Sequence, residues 1–265
     1  MYATLLFLGS GTSMGVPTLG CTCAVCTSTD PHNNRTRPSI ALQFREGDED
    51  RTILIDTGQE FRMQALRENI TRADAVFYTH GHADHILGLD DLRPLTFQRS
   101  TPTPLYADAE TAAIIRRIFE YTFRTENRYP TSARVELVEL STEPGTSIHV
   151  HGVAFERIPV THGRQQIAGY RFGKAAYLTD MSGIPDDSIA RLQGLDILVL
   201  DALRREPHPS HSHLENSIAL AQRIGARRTY FTHISHDLEH TEVSAELPPN
   251  IYLAYDGLRL EFEIA

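Results

Sequence analysis

Four times in this chain an apolar, strand-like run ends in threonine and is followed at once by histidine or aspartate: Thr79-His80, Thr161-His162, Thr179-Asp180 and Thr232-His233. A strand that ends on a metal-ligand residue mounts that side chain on the loop beyond it, where rigid folds carry their chemistry. With the four strands in adjacent positions and their carboxyl ends on one rim, the four residues converge on one place. The repetition therefore asks for a fold that gathers strand ends at an edge.

The first of the four opens a denser cluster. Thr79-His80-Gly81-His82-Ala83-Asp84-His85 packs four potential ligands into six residues, directly after the short apolar run 75–78. A lone histidine or aspartate at a strand end usually caps or hydrogen-bonds the backbone, but ordinary core or surface does not account for this density. Together with His162, Asp180 and His233 the cluster offers six or seven nitrogen and oxygen ligands, a number that suits two divalent ions better than one. Asp180 is the bridging candidate, because a carboxylate can hold two metals ~3.5–4 Å apart.

At 265 residues, with no linker-like, low-complexity or repeated tract, the chain reads as one domain over 1–265. Short β-rich runs at 4–8, 40–44, 52–55, 75–78, 153–160, 175–178, 197–200, 229–231 and 251–254 alternate with helical patterns at 60–68, 109–121, 187–193 and 214–224. That mixture predicts an α/β (α+β) protein. The section 94–130, with turn residues, aromatics and one helical pattern, reads as a lid or side wall. A net charge of −9 argues against a long nucleic acid as partner and leaves a small anionic substrate open. No stretch is long and apolar enough to span a membrane. The opening run 1–9 has no signal-peptide features and reads as a first strand, so the expected compartment is the cytoplasm. A homodimer is compatible with all of this.

The three cysteines, Cys21, Cys23 and Cys26, fall within six residues. Such spacing argues against a disulfide framework and suits a structural zinc, for which His236 is the candidate fourth ligand. The glycine-rich stretch 9–15 before them lacks the lysine of a phosphate-binding loop and reads as a strand-to-turn element.

His80-x-His82-x-Asp84-His85, followed by His162, Asp180 and His233, resembles the metallo-β-lactamase superfamily in ligand type and order. The resemblance implies a four-layer αββα sandwich and a dimetal site at one edge of its sheets. It assigns His80, His82 and His162 to one metal and Asp84, His85 and His233 to the other, with Asp180 between them. The early Gly-Thr-Ser-x-Gly-x-Pro, Cys-x-Cys-x-x-Cys, Gly169-Tyr170, His233-x-x-His236 and Tyr255-Asp256-Gly257 are similar to the phosphoribosyl cyclic phosphate phosphodiesterase branch, associated with phosphonate breakdown. This implies hydrolysis of a cyclic phosphodiester on a ribose-like sugar to a monoester by a metal-bridging hydroxide, with zinc or manganese as the ions. His211, 22 residues before His233, takes the position of an assisting, non-ligand histidine in related enzymes, ahead of His213. Asp84 is expected to orient the nucleophile. Arg35, Arg37 and Arg164 are candidate donors to the phosphate. Asp56 and Asp201, each after an apolar run, are candidate partners that fix histidine tautomers. The rival readings are a tRNA 3′-processing-type endoribonuclease and a relative of the oxygenase-like pyrroloquinoline quinone biosynthesis protein.

Overall fold

A computed structural model describes residues 1–97, 99–126, 129–143 and 145–264. Its strands are β1 (Tyr2–Gly9), β2 (Ser39–Glu46), β3 (Glu49–Ile55), β4 (Ala75–Phe77), β5 (Thr103–Ala107), β6 (Val135–Glu139) and β7 (Ser147–Val150) in the first part of the chain. They continue with β8 (Val153–His162), β9 (Gln165–Phe172), β10 (Ala175–Leu178), β11 (Ile197–Asp201), β12 (Arg228–Thr232), β13 (Ile251–Leu253) and β14 (Arg259–Glu263). They form two seven-stranded sheets, ordered β14-β1-β2-β3-β4-β5-β6 and β13-β12-β11-β10-β9-β8-β7. In both sheets three antiparallel pairings give way to three parallel ones, the change falling at β3 and at β10.

Burial explains which strands the sequence announces. Parallel strands covered on both faces need near-continuous apolar runs, and Ala75–Phe77 and 197–200 are fully buried. The edge strands differ. Arg259–Glu263 buries only Leu260 and Phe262 in strict alternation, and Val135–Glu139 carries two glutamates, so neither forms an apolar run. The helical pattern over 109–121 is broken at Phe119 (φ −106°, ψ 36°) into Ala109–Ile118 and Glu120–Phe123. The helix Leu214–Ile224 stops as expected at Gly225, whose φ of 70° is left-handed.

The inner faces of the two sheets enclose a core in which Phe77 stacks against Tyr106 and Phe155 with ring centroids 4.7 and 4.3 Å away. Truncating such a ring to alanine costs about 3–5 kcal/mol. Two further apolar clusters cover the outer faces. One packs Phe61 and Ile115, from helices Phe61–Arg67 and Ala109–Ile118, on the first sheet; the other packs Leu214, Ala221 and Val243, from helices Leu214–Ile224 and His240–Glu246, on the second. The result is the expected αββα sandwich. The section 94–130 is built into it: β5 is an interior strand and Ala109–Ile118 belongs to an outer layer, while positions 98, 127 and 128 of that section lie outside the described residues.

Candidate metal centre

The four threonine-ligand strands are not neighbours, contrary to the simplest expectation. His80 follows β4 in the first sheet, whereas His162, Asp180 and His233 come from β8, β10 and β12, which alternate with β9 and β11 in the second. They converge because β8, β10 and β12 run the same way and end on a rim facing the end of β4. Two hydrogen bonds tie the sheets there: the Tyr170 hydroxyl donates to the Tyr78 carbonyl at 2.7 Å and the Ala168 N–H to the Thr79 carbonyl at 3.1 Å.

Backbone strain concentrates at the same rim. Asp56, Asp180 and His233 have φ of 64°, 55° and 59°, a left-handed conformation costing roughly 1–2 kcal/mol for a residue with a Cβ. At each, the chain turns sharply off a strand and sends the side chain into the site. Asp56 accepts hydrogen bonds from the Thr79 N–H (2.8 Å), the Thr79 hydroxyl (2.9 Å) and His85 Nδ1 (2.7 Å), leaving His85 Nε2 as the free, lone-pair nitrogen. The loop bearing Asp84 packs so closely on this turn that a Cβ at Gly58 would stand 2.1 Å from the Asp84 carbonyl.

Two ligand groups result. The donor atoms of His80, His82 and His162 lie within 4.8 Å of one another, as do those of Asp84, His85, Asp180 and His233. Asp180 joins them: Oδ1 is 3.2 Å from His85 Nε2, and Oδ2 is 3.3 Å from His233 Nε2 and 3.9 Å from His80 Nε2. The second group is buried, yet Asp84 Oδ2, His85 Nε2 and His233 Nε2 have no hydrogen-bond partner among the described residues. Buried polar atoms left without partners cost about 1–3 kcal/mol each, so close donors that do not bond each other fit a shared cation. His162 Nδ1 donates to the Ser210 carbonyl at 2.8 Å, which leaves its Nε2 as the lone-pair nitrogen.

Electrostatics favours the same filling. Burial holds His80 well below the ordinary imidazole pKa and lowers His82 and His162, keeping all three neutral as metal ligands must be. Burial opposes protonation of His85 and His233 as well, but Asp180, Asp84 and Asp56 hold His85 well above the ordinary value. Asp180 and Asp201 push His233 up to about 9. Carboxylates packed this way demand positive charge, and divalent cations of the kind that histidine and aspartate ligate would meet the demand.

His211 stands over these groups. Its Nδ1 is 2.8 Å from Asp201 Oδ2, and its ring is stacked 4.5 Å from that of His233, at an interplanar angle of 11°, and 4.8 Å from that of His162. Burial lowers its pKa to about 4. His211 lies within ligand distance of His162 and Asp180 and of Asp201 and His233, whereas His213 occupies the N-cap of Leu214–Ile224 and, among the described residues, joins no such group. Asp201 thus orients His211 directly, while His233 Nδ1 is 3.9 Å away.

Cys21, Cys23 and Cys26 place Sγ 3.2, 3.5 and 3.3 Å from His236 Nδ1. A tetrahedral zinc with bonds of ~2.3 Å to sulfur and ~2.0 Å to nitrogen spaces these atoms by ~3.5 Å. The Cys26 N–H donates to Cys23 Sγ at 3.4 Å and, as the largest influence, lowers the Cys23 thiol to about 6.

Two of the three arginines expected at the phosphate are engaged elsewhere. Arg35 is wholly buried and donates to the carbonyls of His32 and Ser235 and to Asn33 Oδ1, bracing the segment next to His236. Arg37 pairs with Glu60 and donates to the Ser13 carbonyl at 2.8 Å. A basic residue near a motif carries no record of the carboxylate or carbonyl that will claim it. Arg164 is exposed in the turn just after His162, at the rim. Asp256 fastens the glycine-rich stretch, its carboxylate accepting from the Ser10 N–H and hydroxyl (2.9 and 2.8 Å) and from the Thr36 N–H (2.9 Å). No motif pointed to Asp108, Glu110, Gln165 and Gln166, which line a cavity against His80 and His82.

Residues 51–234 match the family described as the beta-lactamase superfamily domain. The chain belongs to the metallo-β-lactamase superfamily. Within it, the chain falls in the branch of a diphosphatase of the PhnP family, whose crystal structure is 54% identical with a TM-score of 0.92, covering 100% of this chain and 98% of that one. An octanoyltransferase from Porphyromonas gingivalis is 40% identical over 96% of this chain, but the chain spans only 50% of that protein. Zn(2+)-bound PqqB from Methylobacterium extorquens shares the superfamily fold at 20% identity, with a TM-score of 0.73 over 97% of this chain and 99% of that one.

Proposed function

We propose that the chain is a binuclear metal-dependent phosphodiesterase that opens a cyclic phosphodiester of a ribose-like sugar to a phosphomonoester. His80, His82 and His162 hold one ion; Asp84, His85 and His233 hold the other; Asp180 is shared. Zinc or manganese ions held there would supply Lewis acidity and bring the pKa of a bound water down toward about 7. The chain's residues do the rest. Asp84 orients the attacking water, and His211, held by Asp201, gives its proton to the departing sugar oxygen. An anionic substrate over His211 raises its pKa from the low value that burial imposes, loading it for that transfer. Arg164, exposed and beside His162, is the arginine left to meet the phosphate. Cys21, Cys23, Cys26 and His236 hold a structural zinc.

One observation carries the reading: the His211 imidazole, aligned by the buried Asp201 carboxylate, is stacked on the His233 ring beside candidate ligand groups that Asp180 adjoins. The likeness to a PhnP-family diphosphatase supports phosphorus as the centre attacked. Thiol-based acyl transfer draws no support here, since all three cysteines are gathered around His236. The net charge of −9 weighs against tRNA as substrate. The test is metal analysis together with turnover of a ribose cyclic phosphate, an aryl phosphodiester, a lactone and a thioester. Two active-site ions and phosphodiester cleavage are expected; activity confined to the carbon esters would overturn the reading.

A further inference from the structure

The threonines that precede the strand-end ligands use their hydroxyls differently. Thr161 donates to the Gly183 carbonyl at 3.0 Å and Thr179 to Asp180 Oδ1 at 2.8 Å, while Thr232 Oγ1 is buried with no partner among the described residues. Thr79 stands between a carboxylate and a ligand ring. Its Oγ1 lies 2.9 Å from Asp56 Oδ2 and 3.0 Å from His80 Nδ1, and Asp56 Oδ2 is 2.7 Å from His85 Nδ1. Asp56 and Thr79 are wholly buried and His80 nearly so, which keeps bulk water from competing for these bonds.

The surroundings decide which way each proton points. A hydroxyl can donate and accept at once, whereas a carboxylate only accepts. Thr79 therefore gives its proton to Asp56 and turns its lone pairs to His80 Nδ1, which must carry the ring proton. The lone pair of His80 is then on Nε2, the nitrogen turned to the centre, 2.9 Å from His82 Nδ1 and 3.9 Å from Asp180 Oδ2. The ring proton of His85 goes to Asp56 rather than to Thr79 Oγ1, which is 3.4 Å away.

We propose that Thr79 is a positioning residue whose hydroxyl extends the reach of Asp56 to His80, so that one buried carboxylate sets the tautomer of a ligand to each ion. It fixes His85 directly and His80 at one remove. This rests on the two-ion reading of the site and deepens it: the ions share Asp56 behind the centre as they share Asp180 within it. The other rings are outside this arrangement, His162 Nδ1 bonding the Ser210 carbonyl and His233 Nδ1 standing 3.9 Å from Asp201 Oδ2. Valine has the branched shape of threonine without the hydroxyl, so it would keep the strand end and break the relay. Serine would keep the relay.

The test uses the zinc-loaded protein. With nitrogen-labelled histidine, its NMR spectrum should show His80 protonated on Nδ1 and metallated through Nε2. Metallation through Nδ1 would overturn the relay before any substitution is made. Competition with a chelator then reads the affinity of each ion at the centre. Thr79→Val should weaken one of them by ~10-fold and the other by less, while Asp56→Asn should weaken both. Thr79→Ser and Thr232→Val should bind both ions as the parent does. Parent-like affinities in Thr79→Val, an equal loss of both ions in it, or a loss in Thr79→Ser as large as in Thr79→Val would overturn the proposal. A parent that holds no pair of ions at the centre defeats the two-ion reading instead, and the parent's metal content tells the two failures apart.

Discussion

The two ligand clusters of this protein are built on opposite plans. Cys21, Cys23, Cys26 and His236 make a compact shell in which three ligands come from six consecutive residues and every donor faces one nitrogen. The histidine and aspartate clusters draw on both sheets, sit on three left-handed backbone turns and keep buried donor atoms unpaired. A shell closed on itself suits a fastening between the loop at 21–26 and the segment after β12. An open, strained arrangement, held by Asp56 and Asp201 from behind, suits chemistry. The segment from His233 to His236 reaches both, contributing one candidate ligand to each.

The contrast predicts that substitutions in the open cluster cost activity and those in the closed cluster cost stability. The largest effect is expected for Asp180→Ala, which removes the shared carboxylate. Turnover should vanish while metal content falls from about three ions per chain toward about one, the zinc in the cysteine shell remaining. Retention of all three ions by mass spectrometry would break the assignment of Asp180.

His211→Ala comes next, with turnover lower by ~10²–10⁴ and metal content unchanged. Loss of a metal ion in this variant would make His211 a ligand rather than the acid. Asp56→Asn should weaken metal binding by ~10–100-fold, because His85 loses the partner that fixes its tautomer. Titration with a competing chelator measures this.

In the closed cluster, Cys23→Ser should cost about one zinc and lower Tm while sparing turnover per folded, metal-loaded molecule. A loss of ~2–3 kcal/mol corresponds to roughly 4–12 °C in a chain of this size. An unchanged Tm and zinc content would remove the fastening role. The smallest effect concerns His240, behind the closed cluster, whose ring stacks 4.6 Å from that of His32. Burial, with His32 and Arg35 adding, lowers its pKa from 6.5 to about 4. Protonation therefore favours the unfolded chain: the stability due to neutral His240 is present above about 6.5 and is lost as pH falls through about 4. His240→Phe, which keeps a stacking ring, should flatten the fall of Tm across that window. A slope identical to the parent's would show that His240 does not set it.

The candidate ligands that the fold brings together were legible in the sequence because metal chemistry restricts donor types so tightly that few other demands produce His80, His82, Asp84 and His85 in one loop. Most of the buried parallel strands were legible for a similar reason, since two covered faces require an unbroken apolar run, but β5, with Pro104 inside it, lay in the section read as a lid or side wall. β6 and β14 were harder to read, because strands half exposed at a sheet edge mix charge into their pattern. Arg35 and Arg37 misled because a guanidinium's partner is chosen in space, by Asn33 and Ser235 in one case and Glu60 in the other.

Sequence by itself offered the candidate donors, the α/β mixture and His236 as the candidate partner of the cysteines, because each follows from residue chemistry and local spacing, while the αββα layering came from the family resemblance. Only the tertiary structure decided that the ligand strands alternate with others across two sheets, that Asp201 holds His211, and that a cavity adjoins His80. Those relations join positions far apart in the chain, and nothing local to either member specifies the other.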